Sequence, residues 1–157
     1  QKKTKEGNNI SFCAGVIIGN RNGYIGLGFG KARETVPARE KAIRKAKLNL
    51  IKIRRGCGSW ACNCKTAHSI PYKSTGSSGS IRLTLIPAPK GTDLVISKEC
   101  KKILKFVGIK DVYSETYGHT ATKLNLVKAC FESLKNLTRT KVLPTTSEKL
   151  GIKEGSM

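Results

Sequence analysis

The sequence predicts an α+β chain built as two small domains, and three observations carry that reading. Apolar residues alternate with period two over residues 10–18 and again over 24–30, with Asn20-Arg21-Asn22-Gly23 between them, so a hairpin opens the chain. Stripes at helical spacing then recur three times: Ala38, Ala42, Ile43, Ala46 and Leu50; Cys100, Ile103, Leu104 and Val107; Leu124, Val127, Cys130, Phe131 and Leu134. Between the first and second stripes, Ser74-Thr-Gly-Ser-Ser-Gly79 reads as a flexible domain boundary. Domains are therefore expected at residues 1–75 and 76–137, with 138–157 as an extended tail that lacks periodicity.

Each element has a local cause. In the first strand the even positions Ile10, Phe12, Ala14, Val16 and Ile18 share one face. In the second, Ile25, Leu27 and Phe29 share a face while Gly26, Gly28 and Gly30 form the other, and a glycine face admits another backbone or a ligand closely. Pro37 suits the first turn of a helix with Thr35 or Val36 near its cap. A loop rich in Gly and Cys covers residues 54–68, followed by a short strand near 69–73. A further strand at 80–86 stops at Pro87-Ala-Pro89-Lys-Gly91. Ser97 and Gly108 bracket a helix over 98–107, residues 109–117 are extended or turning, and a last helix runs over 121–137.

Charge narrows the partners. Thirty Lys and Arg face ten Asp and Glu, a formal net charge of +20. Such a surplus repels itself and destabilises the compact state unless a polyanion offsets it. Nucleic acid fits, because each neutralised phosphate releases a counterion. A membrane surface fits less well. The basic residues spread from Lys2 to Lys153, and no helix is strongly basic on one face and bulky-apolar on the other. No apolar run approaches the roughly 20 residues of a membrane-spanning helix, and no N-terminal signal segment is present. The opening Gln1 suits an internal start with a segment upstream.

The cations gather at turns. Lys2, Lys3 and Lys5 precede the first strand; Arg21, Lys31 and Arg33 flank the hairpin; Arg54, Arg55 and Lys73 flank the loop. Any one alone reads as a solvated side chain, but against so few acids the set points to phosphate. Aromatic residues are only 6% of the chain, which argues for recognition of folded RNA by shape and backbone rather than by a stacking platform.

Of six cysteines, Cys13, Cys100 and Cys130 read as small core residues. The other three form Cys57-x4-Cys62-x-Cys64-x3-His68, the ligand count of a structural zinc site. Four protein ligands leave no open position for catalysis, so such an ion would fold a loop that has no core of its own. The competing readings are partial ligation, or thiols that pack near Trp60. Nothing points to an enzyme. The glycines at 26, 28 and 30 lack the spacing and context of a dinucleotide fingerprint, and the only aspartates, Asp93 and Asp111, form no carboxylate pair in sequence.

The run Val16-Ile-Ile-Gly-Asn-Arg-Asn-Gly-Tyr-Ile-Gly-Leu-Gly-Phe-Gly-Lys-Ala-Arg-Glu34 resembles the signature of the universal small-subunit ribosomal protein S5 family. So do Gly79-Ser-Ile-Arg-Leu-Thr-Leu-Ile-Pro-Ala-Pro-Lys-Gly-Thr92 and Gly108-Ile-Lys-Asp-Val112, and the cysteine-bearing segment 54–71 resembles the archaeal branch. The resemblance covers about residues 5–142. It implies an N-terminal domain like a double-stranded-RNA-binding domain, an antiparallel sheet with a packed helix. A small α/β sandwich with a left-handed β-α-β crossover should come after it, against the usual handedness.

The resemblance also implies a structural constituent of the small ribosomal subunit in the cytoplasm. Its partners would be small-subunit rRNA near the neck and near the point where mRNA enters, the mRNA itself, and ribosomal proteins S4 and S8; its role would include support of decoding accuracy. No membrane and no small-molecule substrate are expected. By position, Arg21, Asn22, Lys31 and Arg33 match the RNA-facing hairpin and strand exit. Residues 5–9 match the neck-facing loop, with Glu6, Asn8 and Asn9 where the family usually has Gly and Arg, and residues 80–122 match the part that meets S4 and S8. Two alternatives stand beside this: an extra-ribosomal double-stranded-RNA-binding protein, and an enzyme using Gly76-Ser-Ser-Gly79 as a phosphate loop rather than as a linker.

Overall fold

The computed structural model describes residues 1–62 and 64–155. The chain divides into two compact units, Gln1–Ile18 with Gly26–Leu50, and Gly19–Ile25 with the chain from Ile51 onward. The division falls between Leu50 and Ile51 rather than at residue 75, because segment 51–75 packs with the C-terminal half of the chain. Ile53 and Ile70 are fully buried, and the Cys57 N–H donates to the Leu150 carbonyl at 2.9 Å.

The first unit opens with a small antiparallel hairpin, β1 (Lys2–Thr4) and β2 (Gly7–Asn9), paired from Lys2↔Asn9 to Thr4↔Gly7. Next come β3 (Phe12–Gly19), β4 (Tyr24–Ala32), helix α1 (Thr35–Leu48) and β5 (Leu50–Lys52), and the strands form a sheet in the order β3-β4-β5. The glycine face of β4 receives α1. A Cβ at Gly26, Gly28 or Gly30 would overlap the carbonyl oxygens of Ala46, Ala42 and Ala38, and all three alanines are fully buried. Helix backbone thus lies directly on strand backbone, and small residues on both sides are the reason. Strand β3 is the sheet edge, so its apolar set is only partly covered: Phe12 remains 45% exposed, and Ile10, which lies before the strand, 56%. Cys13, expected in the core, is exposed on the same edge.

The second unit contains β6 (Arg54–Arg55), β7 (Ser74–Ser78), β8 (Ile81–Pro87), β9 (Leu94–Val95), α2 (Lys98–Val107), β10 (Val112–Tyr117), α3 (Lys123–Arg139), α4 (Pro144–Lys149) and β11 (Lys153–Glu154). Its main sheet runs β7-β8-β10-β9. β8 pairs antiparallel with both β7 and β10, and β9-α2-β10 is a parallel β-α-β unit. Ile81, Leu83, Leu85, Ile103, Leu104, Val107, Leu134 and Leu137 fill the space between sheet and helices. Each such side chain contributes about 1.5–3 kcal/mol by leaving water.

Several expectations are corrected here. The supposed flexible boundary 74–79 is mostly strand β7, whose Ser74 and Gly76 face is buried because its smallness lets α3 approach: a Cβ at Gly76 would overlap the Ala129 carbonyl oxygen and the Ser133 nitrogen. Ser74 Oγ donates to the Ser133 carbonyl at 2.7 Å. A glycine under a helix cannot wrap a phosphate, so the phosphate-loop alternative has no loop to use. The same seam turns α3 so that Leu126, Cys130, Phe131, Leu134 and Leu137 point inward, while Leu124 is 54% exposed. Residues 69–73 form no strand; Ser69 makes one isolated bridge, to Gly56. The tail is not simply extended. It carries α4, and β11 pairs antiparallel with β6, Lys153↔Arg55 and Glu154↔Arg54.

Candidate functional site

The Gly- and Cys-rich loop folds back on itself. Gly56 and Ser69 exchange two backbone hydrogen bonds of 3.0 Å, and the Gly58 N–H donates to the Ile70 carbonyl at 3.2 Å. Gly58 is required there, since a Cβ would overlap the Pro71 carbonyl oxygen. This fold brings together all four residues singled out by spacing: the ligand atoms of Cys57, Cys62, Cys64 and His68 lie within 4.8 Å of one another. A tetrahedral zinc with bonds of about 2.0–2.3 Å separates its ligand atoms by about 3.5–3.8 Å. Cys62 Sγ stands 3.9 Å from His68 Nε2, close to that spacing. The donor set therefore fits a metal. Trp60 is fully exposed, so the thiols do not pack beneath it.

Electrostatics differ across the cluster. Burial, with a hydrogen bond that the Cys57 S–H donates to the Cys64 sulfur, pushes the Cys57 thiol up to about 11. The Thr66 hydroxyl, 3.0 Å from Cys64 Sγ, and the Thr66 backbone draw the Cys64 thiol down to about 6. One sulfur is thus held near its anionic form and another near its neutral form.

A residue that spacing does not reveal completes the site. Buried His68 presents Nε2 to the thiols, and its Nδ1 lies 2.7 Å from Asp111 Oδ2. The other carboxylate oxygen, Oδ1, accepts from the backbone N–H of Gly91 at 3.1 Å and of Asp93 at 2.9 Å. The His68 carbonyl in turn accepts from the N–H of Lys110 and Asp111. A carboxylate behind a ligating histidine fixes the tautomer and makes Nε2 a better donor to metal. Asp111 is 43 residues from His68, and no local spacing rule joins them.

The ten candidate phosphate-binding residues separate into two kinds. In the first unit Lys2, Lys3, Lys5, Lys31 and Arg33 are exposed, and Arg33 lines a small cavity with Thr4, Gly7 and Asn9 of the first hairpin. In the second unit Arg21 is exposed, and Lys73 is exposed 3.9 Å from Glu115. Three others work internally. Arg54 is paired with Glu154 and donates to the Thr140 carbonyl. Arg55 is only 8% exposed, and its Nη2 donates to Asn22 Oδ1 at 2.6 Å and to the Gly155 carbonyl at 3.2 Å. Asn22 is thereby committed to Arg55. These guanidinium groups lie beside β11, a pairing that residue spacing does not disclose.

Comparison with known proteins adds the family relationship. The model of the ribosomal protein S5 N-terminal domain matches residues 1–54, and that of the S5 C-terminal domain matches residues 76–145. The small ribosomal subunit protein uS5 of Methanocaldococcus jannaschii is 50% identical over 155 residues, 99% of this chain and 71% of that protein. Its namesake in Methanococcus maripaludis is 46% identical over 155 residues, covering 99% and 68%. That of Nanoarchaeum equitans is 48% identical over 157 residues, covering 100% and 68%. The metal-ligand candidates fall in the interval that neither domain model spans.

Proposed function

Because the chain belongs to the ribosomal protein S5 family, we propose that it is a structural constituent of the small ribosomal subunit whose cationic surface holds rRNA by its phosphates. The observation that carries this reading is 46–50% identity, over nearly all of the chain, to archaeal proteins named for that subunit. The protein works as architecture on the cytoplasmic ribosome and not as an enzyme. The charge of +20 supplies the physical basis: each neutralised phosphate releases counterions, and the repulsion among the cations is offset on binding.

The finer assignments rest on the residues that face outward. Lys2, Lys3, Lys5, Lys31 and Arg33 on one unit, and Arg21 and Lys73 on the other, reach phosphates of rRNA near the neck and near the point where mRNA enters. Arg54, Arg55 and Asn22 support them by holding backbone in place. Residues 80–122 meet S4 and S8, and that interface links the protein to decoding accuracy. Cys57, Cys62, Cys64 and His68 hold a zinc ion, which supplies a structural cross-link within the loop and no catalysis.

The test is sedimentation. The protein should travel with small-subunit particles through a moderate salt wash, and elemental analysis should find one zinc per chain. A protein found only off the ribosome, bound to generic duplexes, would overturn the ribosomal reading; absence of metal would overturn the zinc assignment alone.

A further inference from the structure

A second cationic feature lies within the second unit, where Arg21 and Arg55 meet lysines that residue spacing did not single out. A cavity of about 770 Å³ is lined by Arg21, Arg55, Lys102, Lys105, Phe106 and Lys110, among others, and no carboxylate lines it. That volume is in the range of ligand-binding clefts. Among the described residues, Arg21, Lys102, Lys105 and Lys110 form no ion pair within the chain.

Three details make this more than a cluster of surface lysines. First, Arg55 brings a buried guanidinium to the wall, and its Nε is buried with no hydrogen-bond partner. A buried charge so incompletely satisfied is costly until an anion sits nearby. Second, the C-terminal end of α2 borders the cavity, and such an end ordinarily repels anions. Here the Phe106 carbonyl accepts from the Arg21 N–H at 2.8 Å and the Val107 carbonyl from the Gly23 N–H at 2.9 Å, so these acceptors are already occupied. Third, Arg21 is held in a left-handed backbone conformation, φ 58°, uncommon outside glycine and a mark of functional positions.

The lining is not only charged. Phe106 is 37% exposed, and Ile109 and Ala67 add apolar wall. Charge around an aromatic ring suits a group that is anionic at one end and flat and apolar at the other. We propose that this cavity seats one unstacked nucleotide of the bound RNA, its phosphate among Arg21, Lys102, Lys105 and Lys110 and its base against Phe106. The proposal rests on the RNA-binding function above and names a contact within it. One ring is enough for one base; no stacking platform is involved.

The experiment uses the full chain and two RNA hairpins with the same stem, one carrying a single bulged adenosine, titrated by fluorescence anisotropy at fixed salt. The bulged hairpin should bind about tenfold more tightly. Phe106→Leu should erase that preference while leaving affinity for the fully paired hairpin within about twofold, and Phe106→Tyr should retain it. Equal binding of both hairpins by the unaltered protein, or a preference that survives Phe106→Leu, overturns the cavity assignment and leaves RNA binding standing. Failure to bind either hairpin likewise overturns the cavity assignment, and sedimentation with small-subunit particles decides the ribosomal reading separately. A polyglutamate peptide that removes the preference for the bulge without displacing the fully paired hairpin would assign the cavity to an acidic protein segment and overturn the nucleotide.

Discussion

His68 Nδ1 and Asp111 Oδ2 lie 2.7 Å apart, both side chains buried, and this contact ties the cysteine-bearing loop to the turn that precedes β10. Its geometry assigns the imidazole roles: Nδ1–H donates to the carboxylate, which leaves Nε2 as the lone-pair donor toward the three thiols.

Asp111→Asn should therefore weaken zinc binding by about 10–100-fold in a chelator competition. The amide can still accept from Gly91 and Asp93 through its oxygen. It then turns an NH2 toward Nδ1 and favours the tautomer that places hydrogen on Nε2. An affinity equal to that of the unaltered protein would show that Asp111 serves the fold alone.

Removing the metal should lower the melting temperature. For a chain of this length each 1 kcal/mol lost shifts the midpoint by about 2–4 °C. Calorimetry before and after chelation should show a drop of several degrees that added zinc restores. Identical traces would mean that the loop is held by its backbone bridges alone.

Gly28→Ala should destabilise the first unit by about 1–3 kcal/mol, read as a lowered denaturant midpoint. The added methyl would strike the Ala42 carbonyl oxygen and the Ala46 nitrogen, which are backbone atoms and cannot rotate away. Full tolerance of alanine would show that α1 stands farther from β4.

Charge reversals should separate contact from support. Arg21→Glu and Arg33→Glu each should reduce the slope of log affinity against log salt by about one. Arg55→Ala should instead lower stability, because Asn22, Gly155 and the hairpin tip lose their shared donor. A slope unchanged by both reversals would remove these residues from the RNA contact.

Much of the fold was legible in one sequence because it depends on period and spacing. The stripe Cys100, Ile103, Leu104 and Val107 is buried as the 3.6 period requires, and helix α2 ends at Gly108 in the left-handed conformation. The Cys57–His68 spacing names four residues that the fold does bring together. What was not legible depends on contacts distant in sequence. Asp111 reaches His68 across 43 residues, and Arg54 reaches Glu154 across 100. The glycine- and serine-rich β7 misleads for a related reason: small residues mark flexible linkers and tight helix–strand seams alike, and only the partner helix distinguishes them.

The seam of Gly26, Gly28 and Gly30 on Ala38, Ala42 and Ala46 has a consequence for divergence. A methyl added on the glycine side meets helix backbone, which no change in the alanine side chains can clear. Single steps to a larger residue at the three glycines are therefore closed to drift, whereas exposed lysines away from the Phe106 cavity can be exchanged so long as their number is kept. Over time the chain's hidden joint should stay fixed while its charged exterior turns over.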